Sequence, residues 1–301
     1  MVEKLKLKGL IVPLLTPFDA QGAVDEGALR RLTDFAIARG AHGLFPGGTT
    51  GEGPLLSLDE HRRVAEIVVD AAAGRVPVIV HAGMANTRDT LALTWHAQAI
   101  GAQAAAVVTP YYYRFSDEAL LRHYEQVAAQ TPDFPIYLYN IPQCTGNALS
   151  LEVIAQITER CPNIVGMKDS SGSLKTLVGS LSLHGGTFHA INGDDTLILP
   201  AFAMGIETCV SGNANVFPEL FAALYEAAWR GDLDGARRLQ NQINAVSRLM
   251  DYGDAAMFKA ILARRGLPVG KARSPLLTPT DAVAAERWRA LSALELDLLP
   301  L

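Results

Sequence analysis

Eight short apolar runs recur along the chain, and each is followed by a segment with the pattern of an amphipathic helix. The runs are apolar throughout rather than alternating, which predicts strands buried on both faces, as in a parallel sheet. The predicted strands cover residues 9–16, 43–48, 76–83, 104–110, 134–140, 163–169, 188–193 and 207–213. Eight strand–helix units are what a closed (β/α)8 TIM barrel requires, and we predict that fold. A doubly wound open sheet is the alternative, but no GxGxxG motif follows the first run.

The segments between the runs place apolar residues at three- and four-residue spacing, as in residues 26–40 and 58–75. The predicted N-caps are Asp25, Ser57, Thr87, Ser116 and Ser150. After the eighth run the pattern stays helical over residues 217–230, 233–250, 254–265 and 281–297. This is more than one closing helix, so we predict a catalytic barrel at 1–225 and a C-terminal helical region at 226–301.

Composition narrows the class of function. A net charge of −5 gives no global basic field for nucleic acid or an anionic membrane. No apolar stretch reaches the roughly 18–20 residues of a membrane span, and the opening MVEKLKLKGL lacks the apolar core of a signal peptide. The three cysteines lack CxxC spacing, and the seven histidines lack HxH or HExxH spacing. We therefore predict a cytoplasmic protein without a metal, which disfavours a class II metal-dependent aldolase.

One lysine stands alone in the middle of the chain. Between Lys8 and Lys175 the only lysine is Lys168, at the end of the predicted strand 163–169. An amine attacks a ketone only when it is unprotonated, and a dry strand end favours the neutral amine. The iminium that forms can accept electrons while a bond to the adjacent carbon breaks. The alternative is a lysine that extends to solvent or pairs with Asp169.

Two further strand ends carry groups that suit such chemistry. The segment GGTTGEG at 47–53 offers backbone N–H groups and two threonine hydroxyls to a carboxylate, although it could equally be a tight turn. Tyr139 ends the apolar strand IYLYN, where its phenol could relay a proton or could simply be a core residue. The same two interpretations hold for Tyr111, Tyr112 and Tyr113. Asp194 and Asp195 indicate a helix N-terminus rather than a metal site.

With these residues in view, the chain resembles the dihydrodipicolinate synthase / N-acetylneuraminate lyase family. The resemblance spans nearly the whole chain through GTTGE (48–52), TPYY (109–112), YNIP…TG (139–146), GMKDSSG (166–172), a GDD turn and SGNAN (211–215). It implies a class I pyruvate-dependent aldolase that works through a lysine Schiff base, without a metal or organic cofactor. It also implies a homotetramer arranged as a dimer of dimers.

The resemblance assigns roles to individual residues. Lys168 would form the Schiff base, and Tyr139 would move protons at the keto acid and the aldol hydroxyl. Thr49 and Thr50 would hold the keto-acid carboxylate, and Tyr112 would complete a proton relay across a subunit interface. The substrate pocket would also include Gly48, Gly193, the main-chain carbonyl of Val210, and Cys144.

Cys144 is the one departure from the family pattern. The synthases carry an arginine in the segment that reads YNIPQCTG here, where it binds the carboxylate of the incoming aldehyde. A thiol cannot make this bidentate contact, which costs roughly 1.5–3 kcal/mol of discrimination. We therefore predict an aldolase of 2-keto-3-deoxy sugar acids. The alternatives are a dihydrodipicolinate synthase acting on aspartate semialdehyde, a sugar-acid dehydratase, and a keto-acid sensor without turnover.

Overall fold

The computed structural model describes residues 7–294 and 296, and all eight predicted strands form within it. They are β1 (Gly9–Val12), β2 (Gly43–Leu44), β3 (Ile79–His81), β4 (Ala104–Val108), β5 (Ile136–Asn140), β6 (Ile164–Asp169), β7 (His189–Asn192) and β8 (Thr208–Val210). Several strands are shorter than the apolar runs that predicted them. Proline explains this at Pro13, Pro46, Pro77, Pro110 and Pro135, because a residue without an N–H cannot continue the hydrogen-bonded ladder.

The helices also follow the predicted periodicity. They are α1 (Glu26–Ala38), α2 (Leu58–Ala72), α3 (Thr87–Ala99), α4 (Asp117–Gln130), α5 (Pro142–Thr145), α6 (Leu151–Arg160), α7 (Leu174–Gly179), α8 (Ile198–Ala203), α9 (Pro218–Trp229), α10 (Leu233–Leu249), α11 (Ala255–Arg264) and α12 (Asp281–Ser292). The predicted last helix ran to residue 297. It ends at Ser292, and residues 295 and 297 lie outside the described residues.

Four of the five predicted N-caps are confirmed, since the side chains of Asp25, Ser57, Ser116 and Ser150 each accept a hydrogen bond from a backbone N–H in the first turn. The prediction for Thr87 was wrong. The N-cap of α3 is Asn86, whose side-chain oxygen accepts a hydrogen bond from the N–H of Asp89 at 2.9 Å. The amide oxygen of Asn86 satisfies this donor, so the helix begins one residue earlier than predicted.

The strands are parallel and alternate with helices, and the fold is a (β/α)8 TIM barrel followed by C-terminal helices, as predicted. The chain separates into two compact units. The division into a barrel at 1–225 and a helical region at 226–301 stays a prediction. Among the described residues, no helix combines the length and the apolarity needed to cross a membrane.

One unit comprises residues 78–210 together with Leu7 and Lys8. Its strands lie in the order β3 to β8, each parallel to the next. The register pairs Tyr139 of β5 with Lys168 of β6, and Lys168 with Ile191 of β7. A core of fully buried side chains lies between β4–β6 and helices α4 and α6, including Tyr124, Ile154 and Met167. This core holds β5 and β6 rigidly at their shared register.

The other unit comprises residues 9–77 and 211–294 with residue 296, and in it β1 is parallel to β2. Asn215 fastens the segment after β1. Its side-chain amide donates to the carbonyl of Pro13 at 2.8 Å, and its side-chain oxygen accepts from the N–H of Leu15 at 3.0 Å. These bonds satisfy buried backbone groups where the strand ladder has already ended.

Candidate active site

Lys168 and Tyr139 lie side by side at the carboxyl ends of two neighbouring strands. Each is the next-to-last residue of its strand, and they are register partners, so their side chains are on the same face of the sheet. The Lys168 ammonium nitrogen is 3.8 Å from the centroid of the Tyr139 ring. Both residues are buried, with 6% and 2% of their surface exposed. The imidazole of His81 packs edge-on against the Tyr139 ring, with the two ring centroids 5.9 Å apart.

Gly193, directly after β7, leaves the space that the lysine side chain needs. A Cβ atom at this position would lie 2.2 Å from Ser170 Oγ and 3.3 Å from Lys168 Cε. The backbone is held close as well, because the Gly193 N–H donates to the carbonyl of Asp169 at 2.8 Å. Any side chain here would displace Ser170 or Lys168. The structure therefore brings Lys168, Tyr139 and Gly193 together.

Asp169 closes the turn after β6. Its Oδ1 accepts hydrogen bonds from the N–H of Ser171 at 2.8 Å and from the side-chain amide of Asn140 at 3.3 Å. Its Oδ2 is buried without a hydrogen-bond partner among the described residues. Burial raises the pKa of this carboxyl, and the hydrogen bonds from Ser171 and Asn140 oppose the rise. Asp169 thus ties the ends of β5 and β6 to one another next to the lysine.

Cys144 lies on the short helix α5, and its residue is exposed. The neighbouring Gln143 donates its side-chain amide to the carbonyl of Ser170 at 2.7 Å, which joins the α5 loop to the loop after Lys168. Partial burial raises the pKa of the Cys144 thiol, and the charge of Lys168 opposes the rise. The thiol is therefore neutral at pH 7 and lies within the electrostatic reach of the lysine.

The predicted carboxylate-binding residues Thr49 and Thr50 share one loop of the second unit with Gly48, which was predicted to line the substrate pocket. This loop is tightly turned, since the N–H of Glu52 donates to the Thr49 carbonyl and that of Gly53 to the Gly48 carbonyl, both at 3.0 Å. Gly48 has no room for a side chain, because a Cβ atom would lie 2.5 Å from the ring of Phe45. Thr49 is exposed and Thr50 is half-buried.

The remaining two predicted residues are Tyr112 and Val210. Tyr112 is 87% exposed, has a backbone φ of 82°, and packs edge-on against Tyr113 with ring centroids 5.1 Å apart. Val210 is the buried last residue of β8. The roles assigned to Tyr112 and Val210 stay predictions.

A family model described as "Dihydrodipicolinate synthetase family" matches residues 6–294. The chain belongs to this family. It is accordingly a carbon–carbon lyase of the pyruvate-dependent class I aldolase type, as the sequence motifs predicted.

Individual relatives span almost the whole chain. An uncharacterized DapA-like lyase of Halobacterium salinarum is 41% identical over 288 residues, covering 94% of this chain and 93% of that protein. A 4-hydroxy-tetrahydrodipicolinate synthase of Brucella abortus is 38% identical over 282 residues, covering 93% and 96%. A solved structure of sialic acid aldolase from Ruminococcus gnavus is 27% identical with a TM-score of 0.91, covering 97% and 99%. These family members carry different names, so membership alone does not select the aldehyde.

Sequence reasoning missed a buried ion pair beside the family's GTTGE loop. Glu52 Oε1 lies 2.5 Å from the ammonium nitrogen of Lys259, and both side chains are fully buried. Glu52 belongs to a motif that the sequence singled out for its threonines. The chain contains few lysines, and Lys259 lies within an apolar helical segment. A charged residue in such a segment was the signal that could have indicated a buried ion pair. Among the described residues, no group of three or more His, Cys, Asp or Glu side chains is arranged to hold a metal ion.

Proposed function

We propose that this family member is an aldolase of 2-keto-3-deoxy sugar acids, which reversibly joins pyruvate to a sugar-derived aldehyde through an imine at Lys168. The observation that carries the proposal is the contact of the buried Lys168 amine with the Tyr139 ring, 3.8 Å from nitrogen to centroid. A nucleophilic amine and a phenol at adjacent strand ends supply both the covalent centre and the acid/base group of a class I mechanism.

In the cleavage direction, the neutral amine of Lys168 attacks C2 of the keto acid. The phenol of Tyr139 protonates the hydroxyl of the carbinolamine, which leaves as water to give an iminium, and the resulting phenolate accepts the proton of the C4 hydroxyl. The C3–C4 bond breaks, its electron pair enters the enamine, and the aldehyde departs. The enamine takes this proton from Tyr139 at C3, and attack of water on the iminium then releases pyruvate and restores the amine of Lys168 and the phenol of Tyr139. The iminium itself accepts the electron pair of the breaking bond, so the proposal includes no metal or organic cofactor.

We assign the keto-acid carboxylate to Thr49 and Thr50, with Gly48 in the same substrate pocket, since hydroxyls and backbone N–H groups of a tight turn suit an anion. The main-chain carbonyl of Val210 and the side-chain-free position of Gly193 complete the pyruvyl pocket in this proposal. Gly193 is supported by its lack of room for a Cβ atom beside Lys168 Cε. The assignments of the loop and of Val210 rest on family membership.

The choice of aldehyde rests on Cys144. Its thiol is exposed on α5, in the loop that Gln143 joins to Ser170, and it stands where the synthases carry arginine. A neutral thiol favours an uncharged, hydroxylated aldehyde over one that ends in a carboxylate.

Arg114 is the observation in favour of a dihydrodipicolinate synthase instead. Its guanidinium donates to the carbonyl of Gly146 at 3.2 Å, two residues beyond Cys144. A guanidinium has five N–H donors and can bind a further acceptor, such as the carboxylate of aspartate semialdehyde. An Arg114→Gln variant separates the two cases. If the protein is a synthase, its turnover of aspartate semialdehyde falls at least tenfold, and if it is a sugar-acid aldolase, no such turnover exists to lose.

The covalent step is tested by incubation with pyruvate and borohydride, followed by peptide mass analysis. The peptide with Lys168 should carry the reduced pyruvyl adduct, and a Lys168→Met variant should not. An unmodified Lys168 peptide at saturating pyruvate would overturn the mechanism. A turnover screen over sugar-derived 2-keto-3-deoxy acids then tests the substrate class. Release of pyruvate with an aldehyde supports the aldolase, whereas a product that retains all its carbon identifies a dehydratase.

We also propose that the active form is a homotetramer arranged as a dimer of dimers, in which Tyr112 completes a proton relay from a neighbouring subunit. Its high exposure and left-handed backbone angle leave its phenol outside the core. Sedimentation or light scattering at assay concentrations would test the assembly. The cytoplasmic location stays a prediction.

A further inference from the structure

Glu52 lies in the tight turn of the GTTGE loop. Its backbone φ is 59°, a left-handed conformation that residues with a side chain rarely adopt. A Cβ atom on the following residue, Gly53, would lie 2.2 Å from the carbonyl oxygen of Gly47, so the turn is closely packed on itself. A side-chain residue persists in such a conformation only where its surroundings hold it there.

The carboxylate of Glu52 provides that hold. Its Oε2 accepts a hydrogen bond from the backbone N–H of Arg273 at 2.7 Å, and its Oε1 lies 2.5 Å from the Lys259 ammonium nitrogen. The Arg273 side chain extends the contact by donating to the carbonyl of Leu55 and to both carboxylate oxygens of Glu60. The left-handed turn is thus fastened to α11 and to the chain beyond it.

Lys259 is 1% exposed, and its charge is compensated on several sides. Besides Glu52, its ammonium donates to the carbonyl of Lys271 at 3.1 Å and lies 4.3 Å from the centroid of the Phe18 ring. A buried charge that loses its partner is strongly destabilising, because it has no water to solvate it. The pair is therefore specific: a neutral side chain at one position leaves an uncompensated charge at the other.

Phe258, the residue before Lys259, packs against Gly212, which also borders Thr50. A Cβ atom on Gly212 would lie 2.8 Å from the ring of Phe258 and 3.3 Å from Thr50 Oγ1. Two successive residues of α11 therefore face the loop: Phe258 beside the glycine that borders Thr50, and Lys259 against Glu52. A displacement of α11 at this point reaches both the turn and the threonine hydroxyl.

We propose that Lys259 and Glu52 are positioning residues, whose buried ion pair holds Thr49 and Thr50 in the arrangement that binds the carboxylate of the 2-keto acid. The inference rests on the proposed function, in which these threonines bind that carboxylate. Neither Lys259 nor Glu52 contacts the substrate in this proposal. Their effect is on the selection of a keto acid over a ketone that lacks a carboxylate.

The test compares Lys259→Met, Glu52→Gln and the double variant with the unchanged protein. Imine formation at Lys168 is measured by borohydride trapping with pyruvate and, separately, with acetone, which lacks a carboxylate. Each variant should need at least tenfold more pyruvate for half-maximal trapping, while trapping with acetone stays within about twofold. The double variant should melt above the single variants, since it leaves no unpaired buried charge, yet keep the weakened pyruvate preference.

Glu219→Gln is the matched control, because Glu219 forms another buried ion pair of the same unit, with Arg265. It should lower the melting temperature without changing the preference for pyruvate over acetone. A loss of melting temperature with unchanged pyruvate preference in the Lys259 and Glu52 variants would overturn the inference. If Lys259→Met does not fold, the double variant decides by the same readout. Absence of trapping in the unchanged protein would instead refute the proposed function, so the two failures are distinguishable.

Discussion

The ammonium nitrogen of Lys168 lies 3.8 Å from the centre of the Tyr139 ring, and the two residues are register partners on adjacent parallel strands. The amine contacts the face of the ring, so the ring and the hydroxyl of Tyr139 can be considered separately. The ring covers the amine, whereas the proton transfer that we propose is assigned to the hydroxyl.

Replacing Tyr139 with phenylalanine keeps the ring and removes the phenol. We expect imine formation with pyruvate to persist and turnover to fall by about 10²–10⁴-fold, the range for loss of a general acid/base group. Borohydride trapping and steady-state kinetics measure the two effects. Tyr137→Phe, two residues earlier on β5, is the control: it loses a 3.0 Å hydrogen bond with His189 and should retain turnover within a few-fold. Equal losses in both variants would contradict a specific role for Tyr139.

Cys144→Arg should shift specificity toward aldehydes that carry a carboxylate. A charge-assisted hydrogen bond of about 1.5–3 kcal/mol corresponds to a ten- to hundredfold gain in kcat/KM for aspartate semialdehyde. Turnover with a neutral polyhydroxy aldehyde should fall in the same variant. Cys144→Gln adds length without charge and should not produce the gain. If both variants gain equally, charge at this position is not what selects the aldehyde.

Gly193→Ala should impair imine formation, because the new Cβ atom would lie 2.2 Å from Ser170 Oγ and 3.3 Å from Lys168 Cε. We expect a loss of about 1–3 kcal/mol in the free energy of unfolding, as for other overpacked sites, together with reduced trapping of pyruvate. Adding Ser170→Gly removes the clashing hydroxyl and should restore part of the free energy of unfolding and part of the pyruvate trapping. Gly27→Ala on α1 is the control, since its nearest Cβ contact of 3.4 Å is ordinary and trapping should not change.

The buried imidazole of His123 should make stability depend on pH. Burial lowers its pKa to about 4, so between pH 6.5 and 4 the unfolded chain binds a proton that the folded chain does not. The stabilisation is complete above pH 6.5 and is lost as pH falls toward 4, by about 1.4 kcal/mol per pH unit, or roughly 3 kcal/mol in total. Urea unfolding of the unchanged protein and of His123→Gln from pH 7.5 to 4.5 measures the difference. Curves with the same pH dependence would contradict the prediction.

The proposed relay through Tyr112 predicts that activity depends on assembly. Tyr112→Phe should lower kcat at least tenfold while pyruvate trapping at Lys168 persists, since the phenol is assigned to proton transfer and not to binding. Specific activity should also fall on dilution below the concentration at which light scattering detects dissociation. Activity that is independent of dilution across that transition would contradict a relay between subunits.

Local patterns in the sequence were sufficient for the strands, most helix starts and the positions of Lys168 and Tyr139. Burial on both faces of a parallel strand and helical periodicity are properties of a few neighbouring residues, so they are readable without the rest of the chain. The N-cap of α3 shows the limit, because Asn86 and Thr87 are both suitable caps by residue type, and only the structure shows that Asn86 accepts the hydrogen bond from the N–H of Asp89.

The sequence by itself determined which chemistry the chain carries: an isolated lysine and a tyrosine at strand ends, a threonine-rich loop, and Cys144 in place of an arginine. Only the tertiary structure decided that Tyr139 and Lys168 are register partners, and that Glu52 pairs with Lys259. The physical reason is that a contact between residues far apart in the chain depends on strand register and helix packing. The spacing of neighbouring residues does not encode such a contact. The partner of a buried charge, such as Glu52 for Lys259, can therefore be identified only from the structure.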